Sequence, residues 1–127
     1  MISKVPAMPE KRPERIEVID KDGTTVVRFR DSKILEDRAI YQMGAELLEV
    51  VQGKSGVRLV LDFTGVKYLS SAALGKLITV RRRVDQLGGR LKLCDIGPET
   101  LDVFKIAKLD DYFEICRDQR SALEEIK

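Results

Sequence analysis

An α/β domain built on a single mixed, mostly parallel sheet of about five strands, with helices mainly on one face, is the fold class this sequence predicts. Three observations predict it. An Asp-Gly turn joins two β-branched runs near the start; apolar runs of strand length then alternate with segments of helical period; and glycines mark the boundaries between them. The resulting order is β-β-α-β-α-β-α-β-α.

The first 14 residues carry Pro6, Pro9 and Pro13 among alternating charges, which suits a flexible leader, so the domain is expected to span residues 15–127. RIEVID, KDG and TTVVRFR then read as a β-hairpin. In DSKILEDRAIYQMGAELLEVVQGKSG the period changes. Ile40, Met43, Leu47, Val50 and Val51 lie on one helical face, and Gly53 and Gly56 end the helix. VRLVLDF is a nearly continuous apolar run, expected of a central strand flanked on both sides in a parallel sheet and covered on one face. After Ser70-Ser71, residues Ala73, Leu77, Val80, Val84 and Leu87 form a second helical stripe, ended by Gly88-Gly89. RLKLCDI is the next strand. Gly97-Pro98 opens a third helix with Leu101, Phe104 and Ala107 on its apolar side. YFEI reads as a short last strand, and RDQRSALEEIK as a closing helix in which Ser121 and Glu124 form a capping box. Right-handed crossovers progressing in one direction place the intervening helices on the same face.

With 127 residues, 43% of them hydrophobic, the chain has material for one core. Its 23 Lys and Arg against 21 Asp and Glu leave a net charge of +2, with the signs mixed, so no footprint for direct nucleic-acid binding is present. No stretch has the apolar length of a signal peptide or a membrane span, and a cytoplasmic protein with no membrane association is expected. Cys94 and Cys116 read as small buried thiols. The chain contains no His, which removes the usual general base and the usual companion of cysteine in zinc sites. Neither GxGxxG nor GxxxxGK[ST] occurs. No cofactor, no metal and no catalytic residue are expected.

Two candidate features remain. Asp62 and Asp95 end parallel strands, the edge where open α/β sheets hold ligands, although aspartate also caps turns there. Ser70 and Ser71 lie between strand and helix, where unpaired N–H groups and the helix dipole create positive potential. One serine can cap those donors, which accounts for it without any further role. Ala73 and Leu74 occupy the positions where a capping box needs Glu or Gln, so a box does not explain the pair. No base is present to make either hydroxyl a nucleophile, and the GxSxG elbow is missing. A hydroxyl phosphorylated by another enzyme needs only exposure and small neighbours, which Ala72 and Ala73 supply. Added phosphate brings about −1.5 to −2 charges and can unseat a partner. The Arg81-Arg82-Arg83 run suits the negative end of the helix and solvent better than nucleic acid.

LVLDFTGVKYLSSAALGKLI, followed by GGRLKLCDIGPETLDVFKIAKLDDYFEI, resembles the sulphate transporter and anti-sigma factor antagonist (STAS) domain family, in particular its free-standing bacterial anti-sigma factor antagonists. The resemblance runs from about Arg15 to the C-terminus and is most specific between Val57 and Ile115. It implies a STAS-like fold and a phosphorylated serine three residues before Leu74, which is Ser71, with Ser70 as a cap or alternative acceptor. Ser70 stands where the best-known members carry Asp, and Ala72-Ala73 where they carry Ser-Gly. DSKI at residues 31–34 replaces a Gly-Glu-Leu-Asp-like docking turn.

The resemblance further implies a binding protein that is not an enzyme, working in a partner-switching cycle that regulates transcription. Its partners would be an anti-sigma factor that is also a serine kinase, and a phosphatase that resets the phosphorylated form. Ser70, Ser71, Ala72, Lys76 and Asp62 are the expected partner-binding residues, and a monomer or weak dimer the expected state. The alternative role is that of a scaffold or accessory subunit in a sensory or lipid-transport complex, to be told apart by large assemblies or a membrane partner. A third reading, an enzyme using Asp62, Asp95 and Ser71, lacks a base, a phosphate loop and a metal cluster.

Overall fold

The computed structural model describes residues 13–127. Strands β1 (Ile16–Lys21) and β2 (Thr24–Phe29) pair antiparallel, with Lys21 opposite Thr24. Asp22 and Gly23 both have positive φ, at 52° and 87°. A two-residue turn of this kind matches the twist of the strands it joins, and Asp-Gly tolerates its left-handed backbone. β4 (Arg58–Asp62), β6 (Arg90–Cys94) and β7 (Ile115–Cys116) then add in parallel, in the order β1-β2-β4-β6-β7.

Because successive parallel strands add in one direction, the crossover helices share one face, as the right-handed rule requires. α1 (Asp37–Val51), α2 (Ser71–Gln86) and α3 (Pro98–Ile106) lie there over Leu59, Leu61, Leu91 and Leu93. A run of tilted and edge-to-face rings crosses this core from Phe29 through Phe63, Phe104 and Phe113 to Tyr112, with centroids 4.8 to 6.1 Å apart. α4 (Gln119–Glu125) packs on the opposite face. There Ala122 and Ile126 close a smaller core over Val26, Val60, Cys94 and Cys116. β4 is therefore covered on both faces rather than one, which accounts for its unbroken apolar run.

Three local features differ from the sequence reading. A second, two-stranded parallel ladder joins β3 (Lys33–Ile34) to β5 (Tyr68–Leu69), and α1 starts after it. The last strand begins at Ile115, while Tyr112 and Phe113 turn into the aromatic run. α4 is capped by Asp118, whose carboxylate accepts the Ser121 N–H at 2.9 Å; Ser121 lies inside the helix instead of forming a box with Glu124.

Of the leader, Pro6 and Pro9 lie outside the described residues. At its end, the N–H groups of Glu14 and Arg15 both donate to the Glu46 carboxylate at 2.8 Å, and Arg15 pairs with Asp31 at 3.3 Å. The Glu46 contacts tie the start of β1 to α1, and Asp31 ties it to the segment after β2.

Candidate functional site

The two serines divide their work. Ser70 is half-buried, has extended backbone (φ −82°, ψ 162°) and caps α2: its Oγ accepts the Ala73 N–H at 3.2 Å. Ser71 is the first helical residue. Its side chain is exposed, and no hydrogen bond within the described residues engages its hydroxyl. Ala72 is exposed beside it, while Ala73 and Leu74 are buried and fix the helix on the sheet.

The segment leading into the serines is held from several sides. The N–H groups of Lys67 and Tyr68 donate to the Ser32 carbonyl, and that of Ser70 to the Ile34 carbonyl, at 2.8 to 3.1 Å. From α3, the Thr100 hydroxyl lies 3.4 Å from the Lys67 carbonyl oxygen. Four short links thus stand where the sequence reading placed only a turn.

Lys76 rises one turn beyond. Its stem lies across Gly44 of α1, where an added Cβ would come within 2.9 Å of Cδ, and its ammonium sits 5.1 Å from the Tyr41 ring centroid. Lys33 bears the same relation to Tyr68, at 5.7 Å. Among the described residues six large hydrophobic side chains stand exposed, and three of them, Leu35, Tyr41 and Tyr68, belong to the elements around the serine pair. Tyrosines such as Tyr41 and Tyr68 are among the residue types that dominate binding energy at protein interfaces. Sequence reasoning missed these three. The available signal was Tyr41, an aromatic off the apolar stripe of its own helix.

Asp62 is placed elsewhere. It is only 3% exposed, on the α4 side of the sheet, so the expectation that it touches a partner is corrected. Its carboxylate accepts the Thr64 N–H at 2.9 Å, the Thr64 hydroxyl at 2.6 Å and the Gln119 amide at 2.7 Å, with Arg28 Nε at 3.8 Å. A buried carboxylate needs such partners, and these occupy it fully.

Asp62, Cys94 and Asp95 do converge, with one ligand atom from each within 4.8 Å of the others. Burial first, and then the neighbouring Asp62 and Asp95, push the Cys94 thiol far above its ordinary range, so it stays a neutral thiol at neutral pH. Asp62 spends its oxygens on Thr64 and Gln119, so the cluster keeps few free ligand atoms. The arginine run faces as expected at Arg82 and Arg83, which are exposed; Arg81 instead covers the Tyr112 ring at 4.1 Å and pairs with Asp85.

Residues 15–122 match the STAS domain family. The chain belongs to that family. It is 33% identical over 86 residues to BtrV of Bordetella bronchiseptica, covering 68% of this chain and 73% of that protein. It is 34% identical over 70 residues to the anti-sigma-B factor antagonist of Listeria monocytogenes, covering 55% of this chain and 61% of the relative. Among solved structures, the anti-sigma-factor antagonist (STAS) domain protein from Planctomyces limnophilus superposes with a TM-score of 0.79 at 21% identity, covering 87% of this chain and 97% of that one. The STAS fold, with one antiparallel pair at the edge of an otherwise parallel sheet, is thus shared. No helix among the described residues is long and apolar enough to cross a membrane.

Proposed function

We propose that this STAS domain, an anti-sigma factor antagonist by its family and relatives, is a non-catalytic binding protein controlled by phosphorylation of Ser71. The single observation that carries the reading is the division between the serines: Ser70 spends its oxygen on the cap, leaving the Ser71 oxygen exposed and unbonded at the helix start. The partner is an anti-sigma factor with serine kinase activity, seated on Leu35, Tyr41, Tyr68, Ala72 and Lys76 around Ser71.

Transfer of the ATP γ-phosphoryl group forms the Oγ–P bond, breaks the bond to ADP, and passes the hydroxyl proton to a base of the kinase. A phosphatase later returns the phosphate to water. At the first position of a 16-residue helix the added negative charge meets the positive end of the dipole, so the fold tolerates it. The interface does not, because the added phosphate must be desolvated against the partner while the Lys76 ammonium is already held on the Tyr41 ring. Phosphorylation therefore releases the partner without unfolding the domain.

The test is incubation with candidate anti-sigma kinases and ATP, with the modified residue mapped by mass spectrometry. Label is expected on Ser71 and absent in Ser71→Ala, and Ser71→Asp should abolish partner binding. Label persisting at another site in Ser71→Ala, or binding unaffected by Ser71→Asp, overturns the assignment.

A further inference from the structure

At the opposite end of the parallel strands from Ser71 lies a cavity of about 530 Å³. Its walls come from Asp20 of β1, Gly23 of the β1–β2 turn, the loop before β4 (Lys54 to Val57), the first residues of β4 and β6, and the end of α4. The parallel register sets Arg58 directly beside Arg90. Like charges on facing positions of neighbouring strands repel unless something sits between them. Among the described residues, neither arginine meets a side-chain carboxylate within ion-pair distance. Arg90 donates instead to the Ile126 carbonyl and to an oxygen of the Lys127 terminal carboxylate, at 3.2 and 3.3 Å, while Arg58 and Lys54 form no ion pair among the described residues.

The Arg58 head is also placed, not loose. An added Cβ on Gly23 would come within 3.2 Å of its Nη2, so the glycine of the hairpin makes room for the guanidinium. Among the described residues Asp20 is the one side-chain carboxylate on the wall, and it too is in no ion pair there. Among the described residues no aromatic ring lines the cavity, and its apolar residues are Val57 and Ile126, which leaves no slot for a base or an acyl chain. Cationic side chains outnumber the acidic one at this end of the sheet, on a molecule whose net charge is only +2.

We propose that this cavity binds a compact polyphosphate group through Lys54, Arg58 and Arg90, independently of the phosphorylation state of Ser71. Guanidinium pairs recognise phosphate oxygens by charge-assisted hydrogen bonds, and a di- or triphosphate spans two adjacent arginines where a single phosphate engages one.

The test is isothermal titration of the whole chain with tripolyphosphate, orthophosphate and ATP at constant ionic strength, with amide NMR shifts read in parallel. One saturable site is expected for tripolyphosphate, tighter than for orthophosphate, with shifts centred on Gly23, Gly56 and Gly88. Equal affinity for ATP identifies the tail of a nucleotide as a competent source, and binding of tripolyphosphate alone identifies the free inorganic chain. Arg58→Gln and Lys54→Gln should each weaken binding about tenfold or more, the loss of one charge-assisted contact. Arg83→Gln, on the exposed side of α2, and Ser71→Asp should leave it unchanged. Absence of saturable heat, affinity unaltered in both Arg58→Gln and Lys54→Gln, or ATP binding without tripolyphosphate binding overturns the proposal.

Discussion

Truncating the two serines one at a time separates their roles. In Ser70→Ala the capping oxygen is lost, and caps of this kind cost about 0.5–2 kcal/mol. The geometry selects the lower part of that range. The Ala73 N–H is shared between Ser70 Oγ at 3.2 Å and the Ser70 carbonyl oxygen at 3.1 Å, so after truncation it keeps one acceptor. A loss of about 0.5–1 kcal/mol follows, and for a domain of this size that lowers Tm by about 2–4 °C. Ser71→Ala removes no hydrogen bond and replaces serine with a better helix former, so it should be neutral within about 0.5 kcal/mol. Ser70→Asp, which can cap as serine does, should restore the loss. Differential scanning calorimetry of the three variants measures these shifts, and kinase labelling of the same samples reads the other half: Ser70→Ala labelled, Ser71→Ala not. Destabilisation by Ser71→Ala of 1 kcal/mol or more, or a neutral Ser70→Ala, would refute the division of labour.

Phe104, fully buried between Phe63 and Phe113, should cost about 3–5 kcal/mol as Phe104→Ala, read as a lowered urea midpoint. Gly89→Ala drives a methyl into the Val57 carbonyl oxygen at the foot of the sheet; a loss of at least about 1–3 kcal/mol is expected in the same assay. The Lys92 ammonium, 8% exposed, donates to Glu114 at 2.8 Å and holds that carboxyl below its ordinary value of 4.5, so the stabilisation is complete above that pH and is lost as pH falls through the lower folded value. Glu114→Gln should accordingly flatten the fall of Tm between about pH 5 and pH 3 relative to the parent. Cys94 and Cys116, both held neutral chiefly by burial, should resist thiol reagents at pH 8 in the native protein and react fully in denaturant.

Much of this architecture was legible because its signals are local. The Asp-Gly hairpin, the helical stripe from Ile40 to Val51 and the stop at Gly88-Gly89 each rest on residues that lie close together along the chain. A ladder of two residues per strand, such as β3 with β5, carries no period and was invisible. The cap of α4 was read at Ser121 because Ser-x-x-Glu is a local pattern, whereas the extended backbone at Asp118 (φ −143°, ψ 172°) makes the aspartate the cap. Asp62 looked accessible because it ends a strand at the ligand edge. Its burial depends on α4 crossing to the far face and delivering Gln119 to the carboxylate, a contact between positions 57 residues apart. The serine pair was found from position and small neighbours, while the rim of Leu35, Tyr41 and Tyr68 needed three separate segments to be brought together.

The short β3–β5 ladder has a bearing on how Ser71 is reached. Many serine kinases draw a pliant, extended stretch of substrate into their cleft, and this hydroxyl cannot be drawn anywhere: it stands on a post braced by Ser32, Ile34 and Thr100. An enzyme that modifies it has to fit the assembled surface around it, so a linear peptide copied from residues 66–76 should be a poor mimic of the intact domain.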